Sequence, residues 1–411
     1  MRTLTIGLLL TLSTSALAAD WPQWRGPERD CRVSRQQWPE SLEGGHLAKV
    51  WSLPMGPSYS GPIVVEDRVF VTETRDESHE VIRALDRSSG GEIWKTEWKG
   101  AMKVAFFARE NGSWIRSTPA CDGKDIFVAG IRDVLVSLDA ETGVENWRID
   151  LVSTLNGALP GFGTVCSPLL EGDSVILQAA ASVIRVRKSD GSILWRSKPE
   201  SGGLFGQGMG ASAFSSPVIA TLAGRRQLVV QSRKSLFGLD IETGERLWST
   251  DVEAFRGMNI LTPTIIGDSV FTSTYGGGTF LYDVRNTDGQ FQVTERWNTK
   301  KQGYMSSPVL IDDRVYLHLR NQRFTCIDPQ DGSTKWTTRP FGKYWSTVAN
   351  GDRLLTLDQD GMLHLIAAND EKYESLSSRR VSDQETWAHL AIADDQLFVR
   401  ELNAMTMWTW Q

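Results

Sequence analysis

Cysteine and histidine are scarce in this chain and an excess of positive charge is lacking, and each shortage closes off a class of function. Among 411 residues there are four cysteines and five histidines. No two cysteines are adjacent and none form a Cys-x-x-Cys pair, so thiol redox chemistry and thiolate zinc sites find no motif. His46, His79, His318, His364 and His389 show neither His-Glu-x-x-His nor i,i+4 spacing, which leaves zinc unsupported. A Gly-x-Ser-x-Gly elbow is also missing. The net charge is −6, which gives no general attraction to nucleic acid or anionic lipid. Two near-motifs fail on context. Gly206-x-Gly208-x-x-Ala211 leads into a strand and not into the helix a dinucleotide needs. Asp358-Gln359-Asp360-Gly361 has no Glu at the twelfth position of a calcium loop and reads as a hairpin turn. Cys31, Cys121, Cys166 and Cys326 are not spaced as a disulfide framework, and free packed thiols or a single bridge both remain open.

Long apolar runs are missing too, with one exception at the start. Arg2, the run Ile6 to Leu12 and the small-residue site Ala16-Leu17-Ala18 read together as a secretory signal peptide over residues 1–18. The mature chain then begins near Ala19 or Asp20 and is periplasmic or secreted. No later stretch reaches the ~18 consecutive apolar residues of a membrane helix. Residues 19–47 are polar and without periodicity, and read as an irregular strap ahead of one repeat domain over 48–411.

What the chain has in abundance is a phrase. Leu138-Asp139…Gly143…Trp147 and Leu239-Asp240…Gly244…Trp248 hold Asp, Gly and Trp four residues apart. The spacing recurs at Asp86…Gly90…Trp94, Arg187…Gly191…Trp195 and Asp328…Gly332…Trp336. It is stretched at Asp283…Gly289…Trp297 and degenerate between Ala367 and Leu376. Asp caps a turn, Gly supplies a positive φ and Trp lies on the returning strand, so each copy is a β-hairpin. A strand repeat of ~40–50 residues is the mark of propeller blades. Seven of the 16 Trp (Trp51, Trp94, Trp147, Trp195, Trp248, Trp297, Trp336) occupy this one position, which makes them architectural: each indole covers the face of the next blade.

A second element alternates with the first. Ser-x-Pro and two strands follow at Ser60, Ser117, Cys166, Ser215, Leu261 and Ser306, with Pro-less copies at Ser346 and Ala388. Eight such hairpins and a matching set of Trp strands predict an all-β, eight-bladed propeller of four-stranded antiparallel blades. Trp51 has no hairpin before it, and the last hairpin, Leu402 to Trp410, has no Trp strand after it. The N-terminal strand therefore closes the ring and removes two exposed edges.

Loop length singles out one face. The connections 95–116, 148–165 and 196–214 are long, fall on adjacent blades and carry Phe106, Phe107, Trp114, Phe162, Phe205 and Met209. The positions just before the Ser-x-Pro elements should ring the channel mouth on the same side. From this set the candidate ligand-binding residues are Tyr59, Arg116, Phe214, Tyr304, Trp345 and Trp387, an aromatic mouth suited to stacking. No catalytic and no metal-binding residue is expected.

The phrase Leu-Asp-x-x-Thr-Gly-x-x-x-Trp resembles the repeat of the pyrroloquinoline-quinone-like (PQQ-like) propeller family over about residues 48–411. The start Asp20-Trp21-Pro22-Gln23-Trp24-Arg25-Gly26-Pro27 is similar to the mature start of secreted members. The resemblance implies one of two functions. One is a cofactor-free binding or scaffold module for an envelope protein or polysaccharide, as in the propeller lipoprotein of outer-membrane barrel assembly. The other is a PQQ-dependent alcohol or sugar dehydrogenase with calcium. The dehydrogenases of the family carry a Cys-Cys pair over the quinone, and this chain has none. The expectation is therefore a monomeric binding module without cofactor, nucleic-acid partner or membrane span.

Overall fold

Eight four-stranded antiparallel sheets follow one another around a ring in a computed structural model that describes residues 20–33, 38–105, 112–199 and 212–410. The signal segment and Phe106, Phe107, Phe205 and Met209 lie outside the described residues. Blades 1 to 7 begin with the inner strands Ile63–Val65, Ala120–Cys121, Leu169–Glu171, Val218–Leu222, Thr264–Ile266, Val309–Ile311 and Trp345–Asn350. Blade 8 takes Ala391–Ala393, Gln396–Glu401 and Ala404–Trp410 from the C-terminus and its outer strand, Leu47–Pro54, from the N-terminus. Trp51 pairs with Met407 in that seam, so the ring closes as the unmatched strands require. The four cysteines are all free and buried.

Burial explains the sequence pattern strand by strand. The middle strands face neighbours on both sides and are apolar almost throughout, as in Ser174–Ala179, where every residue is buried. The outer strands alternate, as in Glu145–Asp150, because only one face meets the next blade.

The Ser-x-Pro element has a second role besides starting a strand. The residue before proline is held extended, and its hydroxyl reaches the preceding blade. Thr118 Oγ1 accepts from Gly61 N at 3.1 Å, Ser167 Oγ from Thr118 N at 3.0 Å and Ser216 Oγ from Ser167 N at 3.0 Å. Ser307 Oγ accepts in the same way from Thr262 N at 3.1 Å. A belt of hydroxyls thus stitches the inner strands where the chain is too close to the axis for a ladder.

At the rim the tryptophans do the equivalent work. In six of the seven, Nε1 donates to the carbonyl just after the Asp position of the next blade's turn: Trp51 to Arg87, Trp94 to Ala140, Trp147 to Lys188, Trp195 to Ile241, Trp297 to Pro329 and Trp336 to Asn369. The turn glycine lies under the ring. A Cβ on Gly90, whose φ is +72°, would stand 2.6 Å from Trp51 Cδ2. Trp248, in one of the most regular copies, is the exception. Its Nε1 donates to Gln227 Oε1 of its own blade at 2.6 Å. The reason is the next blade, whose hairpin Gly278–Thr287/Gln290–Thr299 is ten residues a side and puts Gly289 far from any partner. Trp248 still packs on that blade through Phe280, Tyr282 and Val284.

The N-terminal segment is irregular, as expected, but its first part lies inside the channel. Trp21 pairs with Val64 of blade 1, and Pro22 O accepts from Cys121 N of blade 2. Arg29 Nη1 donates to Pro168 O of blade 3 at 2.8 Å, Arg25 Nη2 to Pro308 O of blade 6 at 2.6 Å, and Val33 N to Ala349 O of blade 7. Arg25, Arg29 and Cys31 all adopt positive φ, a strain of ~1–2 kcal/mol each that the buried hydrogen bonds offset. Residues 20–33 are a plug that enters beside the 66–67 turn, where Asp20 Oδ1 accepts from Glu66 N. Because each inner strand runs from the long-loop face to these turns, the plug comes from the opposite face. From Trp38 onward the chain covers the gap between blades 7 and 8. Ser377 takes the register of the missing tryptophan there, and its hydroxyl accepts from Leu42 N.

Gly90 and Gly289 share a left-handed φ, yet only Gly90 lies against an indole. Both Gly→Ala substitutions meet ~1–2 kcal/mol of backbone strain. Gly90→Ala should cost a further ~1–3 kcal/mol of overpacking against Trp51. Urea unfolding of the two variants checks the difference, and equal losses would sink the stacking role.

Candidate functional site

The loops ahead of the inner strands, with the plug beneath them, enclose a cup of about 530 Å³ on the long-loop face. Tyr59, Arg116, Val165, Phe214, Ile260, Met305 and Trp387, seven of the eight residues that precede the repeat elements, line it together with Tyr304 and with Phe162 from a long loop. Trp24 and His389 form the floor. Trp24 Nε1 donates to Thr262 Oγ1 at 3.2 Å, and its ring meets His389 edge-on at 5.0 Å.

One side of the wall is a continuous aromatic chain. Tyr275 and Tyr304 lie 5.3 Å apart, Tyr304 and Tyr344 6.0 Å, Tyr344 and Trp387 4.4 Å, and Trp387 stacks on Tyr59 at 4.9 Å. Burial pushes the Tyr59 hydroxyl up to about 12, so it stays protonated. Phe162 and Phe214 meet edge-to-face at 5.3 Å, with the Arg233 guanidinium 5.2 Å from the Phe214 ring. Arg116 is held by the carbonyls of Gly112 and Trp114 at 2.8 and 3.3 Å.

Trp345 is the misplaced candidate. It is buried between blades 6 and 7, its ring stacked between His318 at 5.0 Å and His364 at 5.5 Å. The inner strand of its blade begins four residues earlier than its counterparts, at Trp345 itself, which pairs with Asp358. In-strand alternation then turns the indole onto the sheet face and away from the mouth. Tyr344, one residue earlier, packs edge-on against Trp387 behind the wall. Sequence reasoning also missed Trp24, Arg233, Arg256, Phe255 and His389. For Trp24 there was a signal: two further tryptophans, Trp21 and Trp38, share its aperiodic polar segment, and large aromatics there must dock onto something.

Under the floor, Cys31 Sγ lies 3.2 Å from His389 Nε2 and accepts from Arg25 Nε at 3.0 Å. His389 Nδ1 donates to Leu390 O at 2.8 Å, which leaves Nε2 as the acceptor for the thiol proton. Burial drives Cys31 up to about 11 and His389 down to about 4. The pair is a neutral thiol on a neutral imidazole, not the thiolate–imidazolium pair of a nucleophile, and Cys31 is 1% exposed. The cup also fails the donor set of a calcium-bound quinone. It is lined by no Asp, Glu or Asn among the described residues, and calcium needs several such oxygens.

Fold and cup define the class: a PQQ-like, eight-bladed propeller whose channel is plugged and whose mouth is an aromatic recess. The chain belongs to the family described as outer membrane protein assembly factor BamB, whose model matches residues 77–338. Relatives of that name are 20% identical over 372 residues in Yersinia pestis (86% of each chain) and 22% identical over 342 residues in Moranella endobia (78% and 80%). Among solved structures, BamB from Moraxella catarrhalis has a TM-score of 0.63 at 14% identity, covering 89% of this chain and 98% of its own. The quinohemoprotein alcohol dehydrogenase ADHIIG of Pseudomonas putida has a TM-score of 0.66 at 13% identity, covering 95% and 80%. These two likenesses establish the fold. No helix among the described residues is long and apolar enough to cross a membrane.

Two buried carboxylates bolt together the blades that carry the long loops. Glu80 of blade 1 accepts from its own Trp98 Nε1 at 2.9 Å and from Ile131 N of blade 2 at 2.7 Å. Asp133 of blade 2 accepts from Ala180 N of blade 3 and from Thr164 Oγ1. Burial outweighs these donors and raises Glu80 to about 7 and Asp133 to about 6. Raised acids bind more protons in the folded state, so their contribution to stability is full below the unfolded values and declines as pH rises between about 4 and about 7. Wild type minus Glu80→Gln stability, from urea unfolding at pH 5 and 7.5, should therefore shrink toward pH 7.5. A difference that grows instead would show that the carboxylate is stabilised in its charged form.

Proposed function

We propose that this protein is an exported, non-catalytic propeller that binds a protein in the cell envelope and serves the assembly of outer-membrane proteins, with the long-loop face and its aromatic mouth as the recognition surface. The observation that carries this reading is the cup: a recess walled by stacked aromatics and arginines, with no carboxylate among the described residues and a neutral Cys31–His389 pair beneath it. Rings and arginines of this kind are the anchors on which protein recognition concentrates. Family membership supports the envelope role, since the relatives carry the name of assembly factors. The signal peptide read over residues 1–18 supports export, and we read the working protein as a periplasmic or secreted monomer. The quinone-dependent dehydrogenase is the weaker reading, because the protein itself has no group able to accept a hydride and the wall supplies no carboxylate for a cation among the described residues.

Two measurements test it. A photo-crosslinking residue at Phe255, exposed on the cup rim, should give discrete protein adducts in intact envelopes that weaken in Trp387→Ala. The same residue at Val144, exposed at a blade turn on the far face, should not. Purified protein incubated with pyrroloquinoline quinone and calcium should reduce no dye with alcohols or sugars. Turnover that disappears in Trp387→Ala would replace this reading with the dehydrogenase.

A further inference from the structure

The charge inside the cup is the reverse of the charge on the chain. The protein has 44 Lys and Arg against 50 Asp and Glu, yet the cup is lined by Arg116, Arg233 and Arg256 and by no carboxylate among the described residues. For two of the three the missing counter-ion can be traced atom by atom. Among the described residues Arg116 donates to the loop carbonyls of Gly112 and Trp114 and to no carboxylate. Burial lowers its pKa, and the opposing influence is the hydroxyl of Tyr59, not an acid. Arg233 donates through Nη2 to Arg256 O at 2.5 Å, lies over the Phe162 and Phe214 rings, and leaves Nη1 with neither an acceptor nor solvent. Desolvation alone moves its pKa, downward.

Two desolvated cations in an apolar wall, without an anion among the described residues, are an electrostatic deficit. Low-dielectric walls focus that field into the recess. A ligand that brings one negative charge on an apolar body would cancel the deficit and fill the aromatic space at once. A neutral apolar ligand would do only the second. Arg is also the side chain whose planar fork matches a carboxylate. About 530 Å³ lies within the range of small-molecule sites.

We propose that the cup is a binding site for an apolar monocarboxylate, a medium-chain fatty acid or an acid of similar size, with Arg233 and Arg116 attracting the carboxylate and the Trp387–Tyr59 stack and Phe214 enclosing the apolar body. This site goes beyond the recognition of an envelope protein and stands or falls separately from it.

The probes are decanoate and its neutral isostere decanol, titrated below their aggregation limits by calorimetry and by quenching of tryptophan fluorescence, with circular dichroism to confirm folding. Decanoate should bind at least tenfold more tightly than decanol. Arg233→Met, which keeps the apolar stem over Phe214, should bring the two affinities within about threefold without weakening decanol. Trp387→Ala should weaken both ligands. Arg226→Met, an exposed arginine outside the cup that pairs with Glu171, serves as the control and should leave the preference intact. Equal affinity for acid and alcohol, no binding of either, or an acid preference that survives Arg233→Met combined with Arg116→Met would overturn the proposal. Envelope crosslinking at Phe255 that persists in Arg233→Met would leave the protein-binding function standing on its own.

Discussion

An indole resting on the next blade's turn is the contact on which the ring depends. Each four-stranded sheet is too small to bury both of its faces, so it is stable only when a neighbour covers them. The tryptophan does this with one residue. Its ring covers the turn glycine, and its N–H satisfies a carbonyl that the tight turn leaves without a ladder partner. Nearer the axis, where a bulky ring would not fit, the hydroxyl before each proline makes the equivalent link. The ring is thus joined twice at each such junction, outside by aromatic stacking and inside by hydrogen bonds. The closing seam uses the same device: Trp51 donates to Arg87 O, and Arg87 in turn reaches Ala393 O and the Asp394 carboxylate of blade 8.

Blade number, strand order and the closing strand were legible because a repeat states its own geometry. A Gly four residues before a Trp means the same thing each time it recurs. The irregularities were harder to read. Trp248 belongs to one of the most regular copies, but its acceptor should have come from the next blade, and the insertion between Asp283 and Trp297 removed it. The side chain was therefore decided by a sequence some forty residues away. The degenerate copy shows the converse. With Ala368 at the Asp position and no Gly in the turn, Asn369 Oδ1 still accepts from Glu371 N and Lys372 N, and its carbonyl still receives Trp336 Nε1. Function at that junction survived the loss of the motif.

The mouth was half legible. Positions just before the inner strands do converge, because eight strands that start near one axis must bring their preceding residues together. Trp345 departs because the inner strand of its blade begins four residues early, which takes it out of the preceding loop and into the sheet, where alternation gives it an interior face. Only His389, in the eighth repeat element, gives the floor a place in the repeat. Trp24 belongs to residues 20–33, which have no period, and their destination is set by contacts with blades 1, 2, 3, 6 and 7 that exist only once the ring has formed.

That plug changes the chemistry of the cup as well as its shape. An open channel would admit water to both ends of the mouth, and the arginines on its wall would be screened. With Trp24 and His389 across the floor, the recess is blind and its wall is largely apolar. Charge there acts over a longer range than at an exposed surface. The same burial keeps Cys31 and His389 neutral, so this thiol–imidazole pair is held silent beneath the floor. The segment that seals the channel thus does two things through one physical cause, the exclusion of water: it disarms the reactive pair below and strengthens the field of the cations above.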